Sequence, residues 1–320
     1  MIGFGEVGRS LGAGLASQGV QVVAFDKGYL SPPFGDLIQR KAREAGVPLS
    51  GSVEEVVEQS DLILAVVPGP AAPEAASLAA ARLGPGKFYV DMGTATPPMK
   101  ERMAGMIEET GAAFVDVAIM GSPVQDGHRF PTLASGRGAD EFRRLVEPLG
   151  MRVTVVGERP GRAAAIKMFR SIFMKGIEAL VIETLMSCCS WDVVDEVMGS
   201  ISASLAKMPF YPDQVNFLVT TDAIHAERRA KEMDMVVETM QAVGVEPRMS
   251  RATAEMIHWM ASLGLKEHFG VELPSDWRKV LDEVLKRRAV AQKLSQIDRP
   301  TGTGYHRDMR NGETRGGGSR

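Results

Sequence analysis

The chain has 320 residues, of which 44% are hydrophobic and 24% charged, so about two soluble domains with substantial cores are expected. Its formal net charge of -3 gives no reason to expect a nucleic-acid partner. No apolar run reaches the roughly 18 to 20 residues that a membrane span needs, and the first residues lack the basic and apolar regions of a secretory signal, so no membrane partner is expected.

A glycine-rich turn opens the chain. Gly3, Gly5 and Gly8 form the pattern G-x-G-x-x-G, which binds dinucleotides when it lies between a strand and a helix. In that setting the first glycine permits a tight turn, the second lets a pyrophosphate approach the backbone, and the third lets the helix pack closely on the sheet. The phosphates then bind the free N–H groups at the helix amino terminus.

The residues around this turn decide what the pattern means. An amphipathic helix is predicted over residues 9–18 and a β-rich strand over residues 21–25, which ends on Asp26. Asp26 lies 18 residues after Gly8, close to the spacing of about 20 expected of the acid that binds the adenosine ribose. Because an acid repels a 2′-phosphate, Asp26 favours NAD, whereas the adjacent Lys27 keeps NADP open as the alternative.

The strand that should precede the turn is short. Only Met1 and Ile2 come before Gly3, although five or six residues are usual for a strand. We therefore expect either an unusually short first strand or a natural start upstream of Met1, and the second is the favoured interpretation. Loss of strand residues there would remove ladder hydrogen bonds beside the cofactor.

Strands and helices alternate up to residue 159. The nearly continuous apolar run at 61–68 is typical of a parallel strand buried on both faces. Further strands are predicted at 87–91, 113–116, 132–135 and 152–156, and helices at 36–45, 70–83, 97–111 and 140–149. This alternation predicts an α/β Rossmann-type domain with a doubly wound parallel sheet over residues 1–159.

The pattern changes at Pro160-Gly161, after which the β-rich runs stop. Helices are predicted at 162–187, 191–207, 213–242, 250–264 and 276–293. Residues 160–297 are therefore predicted to form an all-α domain. Residues 298–320 contain almost no apolar side chains and are predicted to be a disordered tail.

Five stretches together carry a resemblance to a known family. They are Ile2 to Gly8, Val66-Val67-Pro68, residues 91–97, residues 116–122 and Lys167. In this order and at these spacings they resemble the β-hydroxyacid dehydrogenase family, which includes 3-hydroxyisobutyrate and 6-phosphogluconate dehydrogenases. The resemblance covers about the first 190 residues. The helical half is similar to the phosphogluconate-dehydrogenase-like subgroup.

The resemblance implies an active site between a Rossmann domain and a helical domain, with a lysine that handles the substrate's hydroxyl proton. Lys167 is the matching residue. It follows the domain boundary on an otherwise apolar helix, and Arg170 lies three residues further on. A nearby cation and partial burial both lower the pKa of a lysine towards a range useful for acid–base catalysis. The alternative is an ordinary surface lysine whose amine reaches into solvent.

The substrate-binding part of the family pattern differs here. Ser171 replaces the asparagine one helical turn after Lys167, and it retains a hydroxyl that can hydrogen-bond. Met120 replaces a serine of the loop that binds the substrate carboxylate, and Ser122 replaces a glycine. The backbone N–H groups of Gly121 and Ser122 can still hold an anion. We therefore expect a substrate that differs in shape from hydroxyisobutyrate.

The remaining reactive residues predict little chemistry. His128 and Arg129 follow the substrate loop and could clamp an anion, although loop charges are usually solvated. The five histidines form no cluster at metal-ligand spacing, so no metal is predicted. Cys188 and Cys189 are adjacent and poorly placed to bridge each other, which indicates a reduced, cytoplasmic protein.

With the dinucleotide pattern, the resemblance implies an NAD(P)-dependent enzyme acting on a β-hydroxy acid or related sugar acid, and a homodimer formed through the helical domain. The alternatives are an imine reductase of the same fold, which commonly lacks the lysine, and a non-catalytic dinucleotide-binding protein. The predicted site consists of Lys167 as general acid/base; of Met120, Gly121, Ser122 and Ser171 for substrate; and of Gly3, Phe4, Gly5, Glu6, Val7, Gly8, Asp26, Lys27, Val66, Val67, Pro68 and Thr94 for the cofactor.

Overall fold

The computed structural model describes residues 1–30 and 33–297, which form two compact units. The first unit is Met1–Gly176, and the second begins at Ile177. The boundary predicted after residue 159 thus lies earlier than the observed division, which falls inside a long helix. The predicted disordered tail at 298–320 lies outside the described residues.

A five-stranded sheet with the order β1-β2-β3-β4-β5 lies at the centre of the first unit. Its strands are β1 (Leu62–Ala65), β2 (Phe88–Asp91), β3 (Ala113–Ile119), β4 (Pro131–Ser135) and β5 (Arg152–Gly157). Neighbouring strands are parallel except for β3 and β4, which are antiparallel. Residues 120–130 join that pair, and this connection is shorter than the dozen or so residues that a parallel crossover needs. The predicted parallel sheet is therefore parallel in every described strand pair except β3 and β4.

The segments on either side of the glycine turn join this sheet through isolated β-bridges, each formed by one residue pair. Ile2 forms parallel bridges with Ala65 at the end of β1 and with Phe25, and Ala24 bridges Leu49 in turn. These bridges continue the parallel arrangement beyond β1. The strand predicted at 21–25 is represented by its last two residues only, and the first segment by Ile2.

Helices cover both faces of the sheet. They are α1 (Glu6–Ser17), α2 (Gly35–Glu44), α3 (Val53–Glu58), α4 (Ala72–Ala80), α5 (Pro97–Glu108), α6 (Pro123–Asp126), α7 (Ala139–Val146) and the first half of α8 (Arg162–Cys189). Alternate strand residues bury on opposite faces: Leu64 and Val90 pack in one core with Leu11 of α1, whereas Ile63 and Tyr89 pack in another. This confirms the doubly wound α/β class.

The second unit is helical. The rest of α8 is followed by α9 (Val194–Leu205), α10 (Val215–Ala242), α11 (Arg248–Ser262), α12 (Leu265–Phe269) and α13 (Trp277–Ile297). Glu183 of α8 accepts hydrogen bonds from the backbone N–H groups of Met249 and Ser250, each at 2.7 Å, and so stabilises the amino terminus of α11. Among the described residues, no helix is both long and apolar enough to cross a membrane.

Candidate active site

The glycine turn has a geometry that side chains would disrupt. Gly3 has φ +92°, and a Cβ there would lie 2.6 Å from the carbonyl oxygen of Val66. A Cβ at Gly8 would overlap the carbonyl oxygen of Gly3. Gly5 precedes α1, whose first turn has no side-chain cap, and a Cβ at Gly5 would meet no atom within 4 Å. The turn is thus closed towards the sheet and open at the amino terminus of α1, where N–H groups can bind phosphate.

Asp26 braces this turn. Its Oδ2 accepts a hydrogen bond from the backbone N–H of Phe4 at 2.7 Å, and its Oδ1 accepts one from Gly28 at 2.8 Å. A carboxylate has lone pairs for further partners, so Asp26 can still accept from a ribose hydroxyl. The Phe4 side chain lies fully buried in the core, and Phe4 therefore contributes its backbone N–H to the turn and no contact to the cavity.

A cavity of about 800 Å³ opens at the carboxyl ends of β1, β2 and β3, the edge where parallel α/β sheets bind ligands. Its volume falls within the usual range for ligand pockets. The predicted residues that line it are Gly3, Gly5, Glu6, Val7, Gly8, Asp26, Lys27, Val66, Val67, Pro68, Thr94, Gly121 and Lys167. Phe4, Met120, Ser122 and Ser171 are not among the lining residues.

Two glycines that the sequence interpretation did not assign shape the floor of this cavity. Gly69 follows the β1 loop, and a Cβ there would overlap the carbonyl oxygen of Thr94. Gly93 follows β2, and a Cβ there would lie 2.6 Å from the carbonyl oxygen of Val67. Both let the loops after β1 and β2 pack against each other. Each glycine follows a buried strand within four residues, and this position was the signal available in the sequence.

The predicted carboxylate-binding loop already has an acidic partner within the chain. The N–H of Ser122 donates to Asp126 Oδ2 at 3.1 Å, and the N–H of Met120 donates to the carbonyl oxygen of Pro131 at 2.8 Å. The Ser122 amide is therefore not free in this structure to hold a substrate carboxylate. Gly121 is the member of the loop that lines the cavity.

Lys167 is half-buried and lines the cavity from α8. Burial lowers the pKa of its amine, and the Lys100 cation lowers the pKa further. The sequence interpretation attributed a cation effect to Arg170, whereas the contributing cation is Lys100 of α5. Ser171 donates its hydroxyl to the carbonyl oxygen of Lys167 at 2.9 Å, so in this structure it hydrogen-bonds within its own helix.

Lys100 belongs to a buried charge cluster that the sequence interpretation missed. Its Nζ lies 2.7 Å from Asp91 Oδ2 and 3.0 Å from Asp116 Oδ1, and all three residues are fully buried. Burial raises the pKa of Asp91, and the Lys100 cation opposes that rise. The sequence contained one signal of this burial: Lys100 lies on the same helical stripe as the apolar residues Met103 and Ile107.

His128 has a packing role. It is buried, its Nε2 lies 3.1 Å from the carbonyl oxygen of Leu149, and its ring lies against Gly14 of α1, where a Cβ would overlap it. This position makes it unavailable as the exposed anion clamp considered from the sequence. Within residues 1–30 and 33–297, no group of three or more His, Cys, Asp or Glu side chains is placed to hold a metal ion.

The fold and cavity define a class: a protein with a dinucleotide-binding, dehydrogenase-like fold. Residues 1–157 match the family described as the NAD binding domain of 6-phosphogluconate dehydrogenase, and residues 190–260 match a domain of unknown function, DUF1932. The first domain is therefore an NAD-binding domain. The chain belongs to the β-hydroxyacid dehydrogenase family, as the five sequence stretches indicated.

Individual relatives agree with this assignment. A conserved protein of unknown function, described as structurally similar to 3-hydroxyacid dehydrogenases, is 31% identical over 82% of this chain and 95% of its own, with a TM-score of 0.55. Mouse mitochondrial 3-hydroxyisobutyrate dehydrogenase is 27% identical over 163 residues, which cover 49% of this chain and 47% of the mouse protein. An imine reductase variant from Myxococcus stipitatus, in complex with NAD+, shares the fold at 17% identity, with a TM-score of 0.68 over 88% of this chain and 97% of its own.

Proposed function

We propose that this chain is an NAD(P)-dependent oxidoreductase that transfers a hydride between a β-hydroxy acid, or a related sugar acid, and the nicotinamide, with Lys167 as general acid/base. The observation that carries the proposal is that Lys167 and the glycine turn line one cavity in the first unit. A half-buried amine with a lowered pKa beside a dinucleotide site is a suitable proton acceptor.

The residues that would hold the cofactor are those of the turn and its brace. The N–H groups at the start of α1 suit the pyrophosphate, and Gly5 leaves the space for its approach. Asp26 would accept from the adenosine ribose and thereby favour NAD, with NADP as the alternative. When bound, the nicotinamide supplies the hydride acceptor or donor. Thr94, Val67 and Pro68 line the cavity on the side of the sheet.

Lys167 would act on the substrate hydroxyl. In the oxidation direction the neutral amine accepts the hydroxyl proton as the hydride leaves the same carbon, which forms the carbonyl. In the reduction direction the protonated amine returns that proton to the carbonyl oxygen. Gly121 lines the same cavity as Lys167 and would contact the substrate through its backbone, whereas Met120, Ser122 and Ser171 would need a local rearrangement to do so.

Reduction of an imine is the second candidate, and one specific observation favours it. The exposed carboxylate of Asp126 already accepts from Ser122 at the predicted substrate-carboxylate position. Its negative charge opposes an anionic substrate there and favours a cationic iminium ion. Replacement of Asp126 by asparagine separates the two candidates: it should improve the KM for hydroxy acids under the first proposal and weaken iminium binding under the second.

We also propose that helix α8 pairs with a second copy of the chain, in a cytoplasmic homodimer. Large apolar side chains along α8 are exposed, among them Phe169 at 68%, Ile172 at 74% and Ile182 at 60%. Large apolar side chains exposed in this number on one helix are typical of subunit interfaces. Light scattering of the full chain and of Ile172→Glu tests the proposal. A monomeric mass for the unaltered chain would contradict it.

The central experiment measures cofactor binding and turnover with a matched lysine control. NADH and NADPH are titrated by nucleotide fluorescence, and a panel of hydroxy acids and cyclic imines is screened by nicotinamide absorbance. Lys167→Ala should bind NADH normally and lose roughly 10²- to 10⁴-fold in turnover, the usual contribution of a general acid/base. Lys231→Ala, on an exposed face of α10, should leave both unchanged. Full turnover in Lys167→Ala would refute the assigned role, and binding without turnover on any substrate would favour a non-catalytic protein.

A further inference from the structure

Two carboxylates face each other inside the sheet. Asp91 of β2 and Asp116 of β3 are register partners, and both are fully buried. Like charges placed opposite each other on adjacent strands are destabilising, and buried charges need partners. Lys100 of α5 supplies the partner, because its Nζ contacts both carboxylates and also donates to the carbonyl oxygen of Asp91 at 2.9 Å. The arrangement is a buried cluster with two acids and one base.

The cluster continues directly into the first turn of α8. Asp116 Oδ2 accepts from the hydroxyl of Ser135 at 3.0 Å and from the N–H of Ala164 at 3.0 Å. The same hydroxyl of Ser135 accepts from the N–H of Ala163 at 3.0 Å. N–H groups in the first turn of a helix have no partner within the helix, so these contacts fix the start of α8 to the sheet. Lys167 lies three residues after Ala164, on the same helix face.

We propose that the buried cluster of Asp91, Lys100 and Asp116 is the positioning element for Lys167, because it fixes the helical turn that presents the Lys167 amine and sets the charge beside it. This inference deepens the proposed function and rests on the role assigned there to Lys167. Lys100 is a positioning residue, since it acts through Lys167. The cluster explains why a lysine is fully buried on the apolar stripe of α5.

The charge around Lys167 can be altered from within the cluster in both directions. Loss of the Asp91 carboxylate removes a negative charge, and loss of the Lys100 ammonium removes a positive one. The Tyr89 hydroxyl on β2 is the other titratable group beside Asp91, and its pKa is raised by burial first and by the negative charge of Asp91 second. The other charged groups that line the same cavity are Glu6, Asp26, Lys27 and Glu74, which the variants leave in place.

The test measures the reactivity of the Lys167 amine in the full chain without cofactor. Trace acetylation with acetic anhydride at a fixed pH, followed by peptide mass spectrometry, reports how much of the amine is neutral. Asp91→Asn should increase the labelling rate of Lys167 by about three- to tenfold, and Lys100→Met should decrease it by a similar factor, because each variant removes one unit charge from the cluster whose Lys100 cation acts on Lys167. Lys87→Met is the matched control: Lys87 lies just before β2 and donates to the carbonyl oxygens of Val57 and Ser60, so labelling of Lys167 should not change.

The opposite signs separate positioning from loss of structure. A variant that merely loosens the fold exposes Lys167, so it would increase labelling in both cases, and that result would overturn the proposal. Unchanged labelling in Asp91→Asn would also overturn it. If Lys100→Met does not fold, by circular dichroism, then Asp91→Asn decides together with its urea unfolding curve, since it is nearly isosteric and keeps the contact between Lys100 and Asp116. Increased labelling at an unchanged free energy of unfolding supports the proposal, and increased labelling that accompanies lost stability overturns it.

The labelling readout is independent of turnover. If no substrate is turned over but the labelling rates shift as expected, the proposed function fails and the positioning inference stands. If turnover is found and the labelling rates do not shift, only the positioning inference fails.

Discussion

Asp26 accepts a hydrogen bond from the backbone N–H of Phe4 at 2.7 Å, so the acid that would select the cofactor also holds the glycine turn in place. The same carboxylate accepts from Gly28 at 2.8 Å. Under the proposed function, cofactor preference and the shape of the glycine turn depend on one side chain. A substitution there is expected to change both properties, and the two effects can be measured separately.

Asp26→Asn is expected to weaken NADH binding by roughly tenfold or more, because the amide nitrogen cannot accept the hydrogen bond that one carboxylate oxygen accepts now. NADPH binding should weaken less, since the repulsion of the 2′-phosphate is removed. Fluorescence titration with both nucleotides gives the ratio of the two Kd values. Asp36→Asn, on the exposed face of α2, is the control and should leave the ratio unchanged. An unaltered ratio in Asp26→Asn would show that Asp26 does not select the cofactor.

Alanine substitutions at Gly3 and Gly5 are expected to have different effects, the first on stability and the second on nucleotide binding. Gly3→Ala places a side chain at φ +92° and against the carbonyl oxygen of Val66, so the free energy of unfolding should fall by about 1–3 kcal/mol or more. Gly5→Ala meets no protein atom and should leave the Tm nearly unchanged, while its methyl group obstructs the pyrophosphate and weakens nucleotide binding. Calorimetry and nucleotide titration on both variants provide the test. Normal nucleotide binding by Gly5→Ala would place the pyrophosphate elsewhere.

The sequence was sufficient to select residues that line one cavity, where the selection depends on local patterns. Gly3 and Asp26 were selected because of a short motif and its spacing, and Lys167 because its helix position matches the family. The helices and strands followed from apolar periodicity. The direction of β4 was missed, although the short connection of residues 120–130 after β3 contained the information.

The parts that were missed depend on side chains that meet only in three dimensions. A lysine on a helix is usually solvated, so the burial of Lys100 becomes evident only when Asp91 and Asp116 meet in register across β2 and β3. Asp126 was not assigned a role because its contact with the Ser122 amide depends on the fold of one loop. Residue type alone could not show which partners Lys100 and Asp126 bind in the folded chain.

The contact between Gly14 and His128 is expected to show strong coupling. Gly14→Ala alone should lower the free energy of unfolding by about 1–3 kcal/mol, because the added methyl group overlaps the buried imidazole. His128→Ala alone loses the hydrogen bond to Leu149 and leaves a cavity. The double variant should lose clearly less free energy of unfolding than the two single variants lose together. The reason is that the methyl group added at Gly14 then occupies space vacated by the imidazole. Urea unfolding of all four proteins measures the coupling, and additive effects would contradict the observed packing.

The pH dependence of catalysis should follow the Lys167 amine. Burial and the Lys100 cation lower its pKa below the ordinary value of 10.5, so the neutral form appears at a lower pH than for a free lysine. In the oxidation direction Lys167 must accept a proton, so kcat/KM should rise with pH and level off above that pKa. In the reduction direction it must donate one, so kcat/KM should fall as pH rises through the same pKa.

Lys167→Arg provides the matching test, because arginine keeps the positive charge but does not deprotonate in this range. Its oxidation rate should fall by roughly 10²- to 10⁴-fold and lose the pH-dependent rise assigned to Lys167. Lys231→Ala should retain the profile of the unaltered chain. If Lys167→Arg kept the same rise at the same pH, another group would be responsible for the proton. The oxidation and reduction profiles should share Lys167 as their titrating group. The midpoints of the two kcat/KM profiles should therefore agree, and different midpoints would contradict a single group more directly than the rate loss does.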